Sequence, residues 1–210
     1  ELKTPLTSFS GYLQILSNTV TDEKSQLFLK KTRQQVKKLS SLVSDLLDVS
    51  KIEAGKLQLS NESFDIRQVL DNVVELLSHG NHHFHISLET DIDELLITGD
   101  PDRIEQVIIN LLTNAIRYSP GTNRIIVYLT RDAAEVKVGV RDFGVGIAPE
   151  KLKHIFARFY RVDDANPTIS GLGIGLYLSH EIIVRHKGRI WVESEPGIGS
   201  TLWFTLPSDQ

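Results

Sequence analysis

The sequence contains no cysteine. That excludes a disulfide framework and a thiolate metal site, and it suits a reducing compartment. Methionine is also absent, at position 1 as elsewhere. A chain that opens Glu1-Leu2-Lys3 inside what reads as a helix is expected to be the interior of a longer protein. No apolar run approaches the roughly 18 residues of a membrane span, and no signal-peptide pattern is visible. There is no excess of positive charge: 23 Lys and Arg stand against 27 Asp and Glu, a net charge of -4. No global basic field would gather nucleic acid or an anionic membrane, so neither is expected as a partner. Internal repeats, low-complexity segments and a G-x-x-x-x-G-K-[ST] phosphate loop are missing too. What remains is a chain of 210 residues, 40% hydrophobic and 24% charged, which is ordinary for a globular protein of one large or two small domains.

The first 58 residues read as a helical hairpin. Leu2, Leu6, Phe9, Leu13, Leu16 and Val20 recur at alternating steps of four and three, which is a heptad seam. Pro5 lies inside that helix and predicts a local kink. Thr21-Asp22 can cap a second helix, whose seam is Leu29, Thr32, Val36, Leu39, Val43 and Leu46. Lys30, Lys31, Arg33, Lys37 and Lys38 fall between the seams as a solvated basic face. Gly55 can end the helix. A hairpin alone buries little apolar surface, and such seams usually pair with another copy.

Residues 59–210 change character. Helices are predicted over 66–78, 101–118 (capped by Asp100, with Pro101 at its start) and about 172–186, stopping at Gly188. Strands are predicted over 86–90, 95–98, 125–130, 136–141, 189–193 and 201–206. The mixture implies an α+β chain: the hairpin, then a two-layer α/β sandwich with helices on one face of a sheet. Residues 161–170 are polar and aperiodic, and read as a loop. Trp191 and Trp203 are expected to pack on the sheet.

Three patterns carry chemistry. On the helix 101–118, Asn110, Asn114 and Arg117 share a face opposite the apolar stripe, with Tyr118 beside it. Two amide oxygens a turn apart can hold a hard cation, and an Arg one turn further can meet phosphate; an ordinary polar helix face would look the same. Asp142-Phe143-Gly144-Val145-Gly146 follows a strand, so its carboxylate could accept from an exocyclic amine, although many turns share that pattern. Gly171-Leu172-Gly173-Ile174-Gly175-Leu176 opens a helix, where exposed N–H groups suit a phosphate chain. It is not G-x-G-x-x-G behind a strand, so a dinucleotide fold is excluded on context.

The order and spacing of these patterns resemble the GHKL ATP-binding fold, which histidine kinases share with type II topoisomerases, mismatch-repair ATPases and a heat-shock chaperone. Within that set the chain looks most like a sensor histidine kinase. Asn110-Leu-Leu-Thr-Asn114-Ala-Ile-Arg117-Tyr118-Ser is similar to the N box, Asp142-Phe-Gly144-Val-Gly146 to the G1 box, Ile155-Phe156-Ala-Arg158-Phe159-Tyr160-Arg161 to the F box and Gly171-Leu-Gly173-Ile-Gly175-Leu to the G2 box. Glu1-Leu-Lys-Thr4-Pro5-Leu-Thr is similar to the H box without its histidine, so the chain is expected to begin one residue after the phosphoacceptor. Arg117 stands where the family frequently has Lys.

The resemblance implies a homodimeric four-helix bundle, ATP and Mg²⁺ as cofactors, and a response-regulator receiver domain as partner. It implies Asn110 and Asn114 as Mg²⁺ and triphosphate ligands, with Arg117 and Arg158 facing the phosphates. Asp142 would take the adenine amine beside Tyr118. Gly144, Gly146, Ile147, Gly171, Leu172, Gly173, Gly175 and Leu176 would complete the nucleotide site, and Phe156 and Phe159 would dock the lid or fill the core. Glu1 would accept the imidazole proton, and Thr4 would place a water for phosphatase chemistry. The activity implied is phosphoryl transfer from ATP to a His and on to a regulator Asp, with a cytoplasmic placement and any membrane anchor upstream. A catalytically silent scaffold and an ATP-driven clamp are the alternatives; the clamp relatives usually carry Glu where Asn110 stands. His180-Glu181 lacks the Thr and Pro of the H box, and its next His falls at 186 rather than the 184 of a zinc helix. His82, His83 and His85 are expected to sit in a solvated loop rather than around a metal.

Overall fold

The computed structural model describes residues 3–80, 83–132, 135–162 and 172–208. The expectations for Glu1, His82, Gly171 and most of the 161–170 loop lie outside the described residues. Two compact units form, Glu1–Leu57 and Gln58–Gln210. Among the described residues no helix is long and apolar enough to cross a membrane.

The first unit is a hairpin of α1 (Lys3–Thr19) and α2 (Glu23–Glu53). Asp22 caps α2: its Oδ1 accepts from the Ser25 backbone N–H at 2.9 Å, and that bond holds the carboxyl below the usual carboxylate range. Gln26 closes the turn from the other side. Its Nε2 donates to the carbonyls of Ser17, at 3.0 Å, and Val20, two acceptors that the end of α1 leaves unpaired. α1 runs unbroken past Pro5. Leu6, Leu13, Leu29 and Val36 are half-buried within the hairpin, whereas Phe9, Leu16, Leu39 and Leu46 of the same seams stay exposed. The basic residues between the seams are exposed, as their spacing predicted.

The second unit contains β1 (Glu62–Asp65), α3 (Ile66–Gly80), β2 (His85–Glu89), β3 (Leu96–Gly99), α4 (Pro101–Arg117), β4 (Arg124–Arg131), β5 (Glu135–Asp142), α5 (Pro149–Leu152), α6 (Gly175–Arg185), β6 (Arg189–Glu195) and β7 (Gly199–Pro207). Five strands form one sheet in the order β2-β4-β5-β7-β6, with β2 and β4 parallel and the other pairs antiparallel. β1 and β3 pair separately. The alternation along β5 shows why this sheet has one dry face: Val136, Val138 and Val140 are buried, while Lys137, Gly139 and Arg141 point the other way. Ile66, Leu70 and Val73 of α3, the stripe Ile104, Val107, Ile108 and Leu111 of α4, and Leu178, Ile182 and Ile183 of α6 fill the core with them. Asp100 starts α4 with both carboxylate oxygens. Oδ1 accepts from Arg103 N at 3.1 Å, and Oδ2 accepts from Ser60 N at 2.9 Å.

Three differences from the sequence reading have local causes. α6 begins at Gly175, not near Leu172, because Gly173 takes φ +68, outside the helical region. Its left-handed stop falls on Lys187 (φ 62) rather than Gly188. Gly188 is instead where the chain meets β7: a Cβ there would lie 1.9 Å from the Thr205 carbonyl oxygen. Phe159 is 53% exposed, so a core role for it is wrong; Phe156 is half-buried.

The open face of the sheet carries an aromatic row. Trp203 stacks between Tyr128 (5.7 Å) and Trp191 (6.3 Å). Lys137 Nζ sits 4.0 Å from the Trp203 ring centroid, and both indole N–H groups donate to the Glu193 carboxylate. Gly139 faces Trp203 across the ladder, and a Cβ there would lie 2.2 Å from the ring. Backbone entropy alone would make Gly139→Ala stabilising. The ring contact reverses the sign: we expect a loss of about 1–3 kcal/mol from the displaced stack. Urea denaturation followed by tryptophan fluorescence reads the change, and an unmoved or raised midpoint would refute it.

Candidate active site

α4 supplies one wall of a cavity of about 400 Å³, within the range of small-molecule sites. The spacing read from the sequence brings Asn114, Arg117 and Tyr118 to this wall. The Asn114 amide and the Arg117 guanidinium have no hydrogen-bond or ion-pair partner among the described residues. Asn110, one turn earlier, does not line the cavity. Its Nδ2 donates to the buried Ser179 hydroxyl at 2.8 Å. Its Oδ1 lies so close to the start of α6 that a Cβ on Gly175 would come within 2.3 Å of it. Asn110 and Gly175 therefore lock α4 to α6.

The opposite wall is built from the end of β5. Asp142 is buried, and its Oδ1 accepts from Gly144 N at 2.9 Å and Ser200 N at 3.3 Å. Oδ2 has no partner among the described residues, and Asp142 lines the cavity. Burial pushes this carboxyl up from its ordinary value, against the opposing pull of the two N–H donors.

The glycines beside Asp142 serve the protein's own backbone. A Cβ on Gly144 would lie 2.0 Å from the Tyr118 carbonyl oxygen, which accepts from Val145 N at 3.1 Å. Gly146 has φ +65, and a Cβ there would lie 2.1 Å from the Glu195 carbonyl oxygen. The loop is thus clamped between α4 and the β6–β7 turn. Ile147, which lines the cavity, is held by a chain of hydroxyls: its N–H donates to Ser194 Oγ at 2.8 Å, and Ser194 Oγ bonds Ser200 Oγ at 2.9 Å.

The segment before α6 is tied down in the same manner. Phe159 N donates to the Gly173 carbonyl at 3.0 Å. A Cβ on Gly173 would meet the Tyr160 carbonyl oxygen at 2.6 Å. Leu176 reaches the cavity, whereas Gly144, Leu172, Gly173 and Gly175 do not line it. No side chain caps the first turn of α6. Arg158 is exposed over the Phe159 ring at 4.9 Å and does not line the cavity; Thr4 is exposed on α1.

Lys151, Tyr160, Arg161, Val162 and Ser200 also line the cavity, and none was selected from the sequence as a site residue. Tyr160 and Arg161 stand inside the F-box pattern, so position could have found them. Lys151 sits on the single turn of α5, which has no periodicity to read.

Residues 99–210 match the family described as histidine kinase-, DNA gyrase B- and HSP90-like ATPase, and residues 1–55 match the His Kinase A (phospho-acceptor) domain. The sensor protein kinase WalK of Staphylococcus haemolyticus is 34% identical over 214 residues, covering 100% of this chain and 35% of that protein. WalK of Staphylococcus aureus (strain Newman) is 34% identical over 220 residues with the same coverage, 100% and 35%. The chain spans about a third of the length of these relatives. Among solved structures, full-length ShkA in complex with AMPPNP aligns with a TM-score of 0.80 at 26% identity, over 100% of this chain and 44% of ShkA. The Acinetobacter baumannii histidine kinase AdeS aligns with a TM-score of 0.69 at 28% identity, over 100% of this chain and 98% of AdeS. The chain belongs to the histidine kinase-like ATPase family, with that family's ATP-binding domain following a phospho-acceptor-type helical segment.

Proposed function

We propose that this chain is the ATP-dependent phosphotransfer core of a protein-histidine kinase in a two-component system. The observation that carries the reading is Asp142: a buried carboxylate with one oxygen fixed by backbone and the other facing a nucleotide-sized cavity. Oδ2 accepts the adenine amine, Tyr118 and Ile147 flank the base, and Arg117 faces the phosphates. The uncapped N–H groups of α6 favour the same anion. Asn114 offers an unpartnered amide oxygen of the kind a hard cation takes, so Asn114 would hold Mg²⁺, while Asn110, bonded to Ser179 and outside the cavity lining, would support the site by fixing α4 to α6. Bound there, Mg²⁺ would neutralise phosphate charge during transfer.

In the reaction an imidazole nitrogen of the phosphoacceptor His forms a bond to the γ-phosphorus. The bond from that phosphorus to the bridging oxygen breaks, and ADP leaves with the electron pair. Glu1 takes the other imidazole proton, which keeps the attacking nitrogen nucleophilic. The phosphoryl group then passes to a receiver-domain Asp of a response regulator. Thr4 orients the water for the reverse, phosphatase, reaction. The exposed Phe9, Leu16, Leu39 and Leu46 on the hairpin support a second copy of the chain as partner, closing a four-helix bundle.

The reaction is tested with a His placed directly ahead of Glu1. Incubation with γ-labelled ATP and Mg²⁺ should give acid-labile label that Asn114→Ala abolishes. Nucleotide binding without label would overturn the kinase reading.

Asp142→Asn tests the adenine contact. The Gly144 and Ser200 N–H groups require an oxygen at the Oδ1 position, so the variant turns its NH₂ toward the ligand's amine, donor against donor. We expect ATP affinity to fall about tenfold or more, and preference to move toward a 6-oxo purine nucleotide. Unchanged affinity in calorimetry would rule this contact out.

The raised pKa of Asp142 sets two opposite pH trends. As an acceptor Asp142 must be ionised, so adenosine affinity is expected to fall on acidification while still above the ordinary carboxylate range, and the Asn variant should not show this. Stability runs the other way. The folded state keeps a proton that the unfolded chain has already released, so this group's contribution falls as pH rises from the ordinary carboxylate pKa through the raised one, then levels off. Parallel pH profiles for wild type and variant would count against both trends.

A further inference from the structure

The cavity wall carries a cation that the reading above leaves without a task. Lys151 of α5 is half-buried and lines the cavity with Asn114, Arg117 and Asp142. Its Nζ donates to the Val162 carbonyl at 2.8 Å. It has no carboxylate within ion-pair distance among the described residues. An ammonium has three N–H donors, so two remain for a ligand. A half-buried, unpaired cation is costly unless an anion meets it. Asp142, the sole carboxylate among the described residues of this wall, already gives one oxygen to two backbone donors. The Val162 carbonyl orients the ammonium without neutralising it.

We infer that Lys151 is a binding residue for the phosphate chain of the nucleotide, held in place for that contact by the Val162 carbonyl. The inference rests on the nucleotide reading of the cavity and adds to it a second fixed positive charge beside Arg117. A compact ammonium suits this role, because it can approach several phosphate oxygens as a point charge whereas a guanidinium prefers paired, planar contacts.

Calorimetry with adenosine, ADP and ATP on the full chain tests the inference, using Lys151→Met and Lys151→Arg. The Met variant should lower ATP affinity about tenfold, the usual scale for losing one charge-assisted contact. The loss for ADP should be smaller, and adenosine affinity should stay within about twofold. The Arg variant should recover part of the ATP loss, and the salt dependence of ATP binding should be shallower in the Met variant. An equal loss for all three ligands would mean that Lys151 acts only through the Val162 bond, and would overturn the inference. So would unchanged ATP affinity in the Met variant. Failure of the wild-type chain to bind any of the three would bring down the nucleotide reading itself, and the inference with it.

Discussion

The carboxyl of Asp142 is held by backbone N–H groups from two segments far apart in sequence, its own loop at Gly144 and the start of β7 at Ser200. Much of the site depends on that pair of bonds. They fix the end of β5 against β7, which sets where the following loop departs. The loop then presses Gly144 onto the carbonyl of Tyr118, the residue that ends α4. The residues proposed to face the base and the phosphates therefore sit on elements joined through one carboxylate. The arrangement has an electrostatic cost, seen in the upward push on the Asp142 pKa. The folded state tolerates it because two donors face Oδ1, and a ligand amine can satisfy the oxygen that remains.

The two units solve different problems with the same vocabulary of apolar spacing. In the second unit every stripe finds a partner within the chain: the α4 stripe meets the dry face of the sheet, and α3 and α6 flank it. In the hairpin a seam with two partners' worth of apolar residues has only one partner helix. Half-buried Leu6 and Leu13 alternate with exposed Phe9 and Leu16 along a single seam. Leaving such large side chains in water forgoes roughly 1.5–3 kcal/mol each, which is the thermodynamic argument for the second copy proposed above.

Elements with a long period were legible in the sequence. α4 announced itself through Asp100, Pro101 and its stripe, and β5 through strict alternation from Val136 to Val140. Elements that depend on tertiary pairing were not. β1 is four residues held by β3, and α5 is a single turn behind Pro149; neither is long enough to show a repeat. The site divided along the same line. Asn114, Arg117, Tyr118 and Asp142 could be placed because helix spacing and strand ends fix them. Asn110 shares the helix face of Asn114, yet the structure spends its amide on Ser179, a residue 69 positions away. The glycines carry a second role that the sequence did not show. Gly144, Gly146 and Gly173 were expected to complete the nucleotide site, and each is also a point where one backbone segment meets another. Their absence of side chains shapes the cavity indirectly, by allowing its walls to close.

Charge gives a last constraint. The chain is net negative, at -4, and so is the nucleotide it is proposed to take, so the long-range interaction is repulsive. Screening limits that repulsion to about a Debye length, near 8 Å at physiological salt. Inside that distance the cavity wall decides the sign. There the described lining residues supply Arg117, Lys151 and Arg161 against the single carboxylate of Asp142. Chain-wide charge disfavours indiscriminate binding of polyanions, and the local excess of cations would restore affinity for the proposed nucleotide. In the proposed site the task of Asp142 is directional: a carboxylate would recognise the amine edge of the base, while the cations would recognise charge.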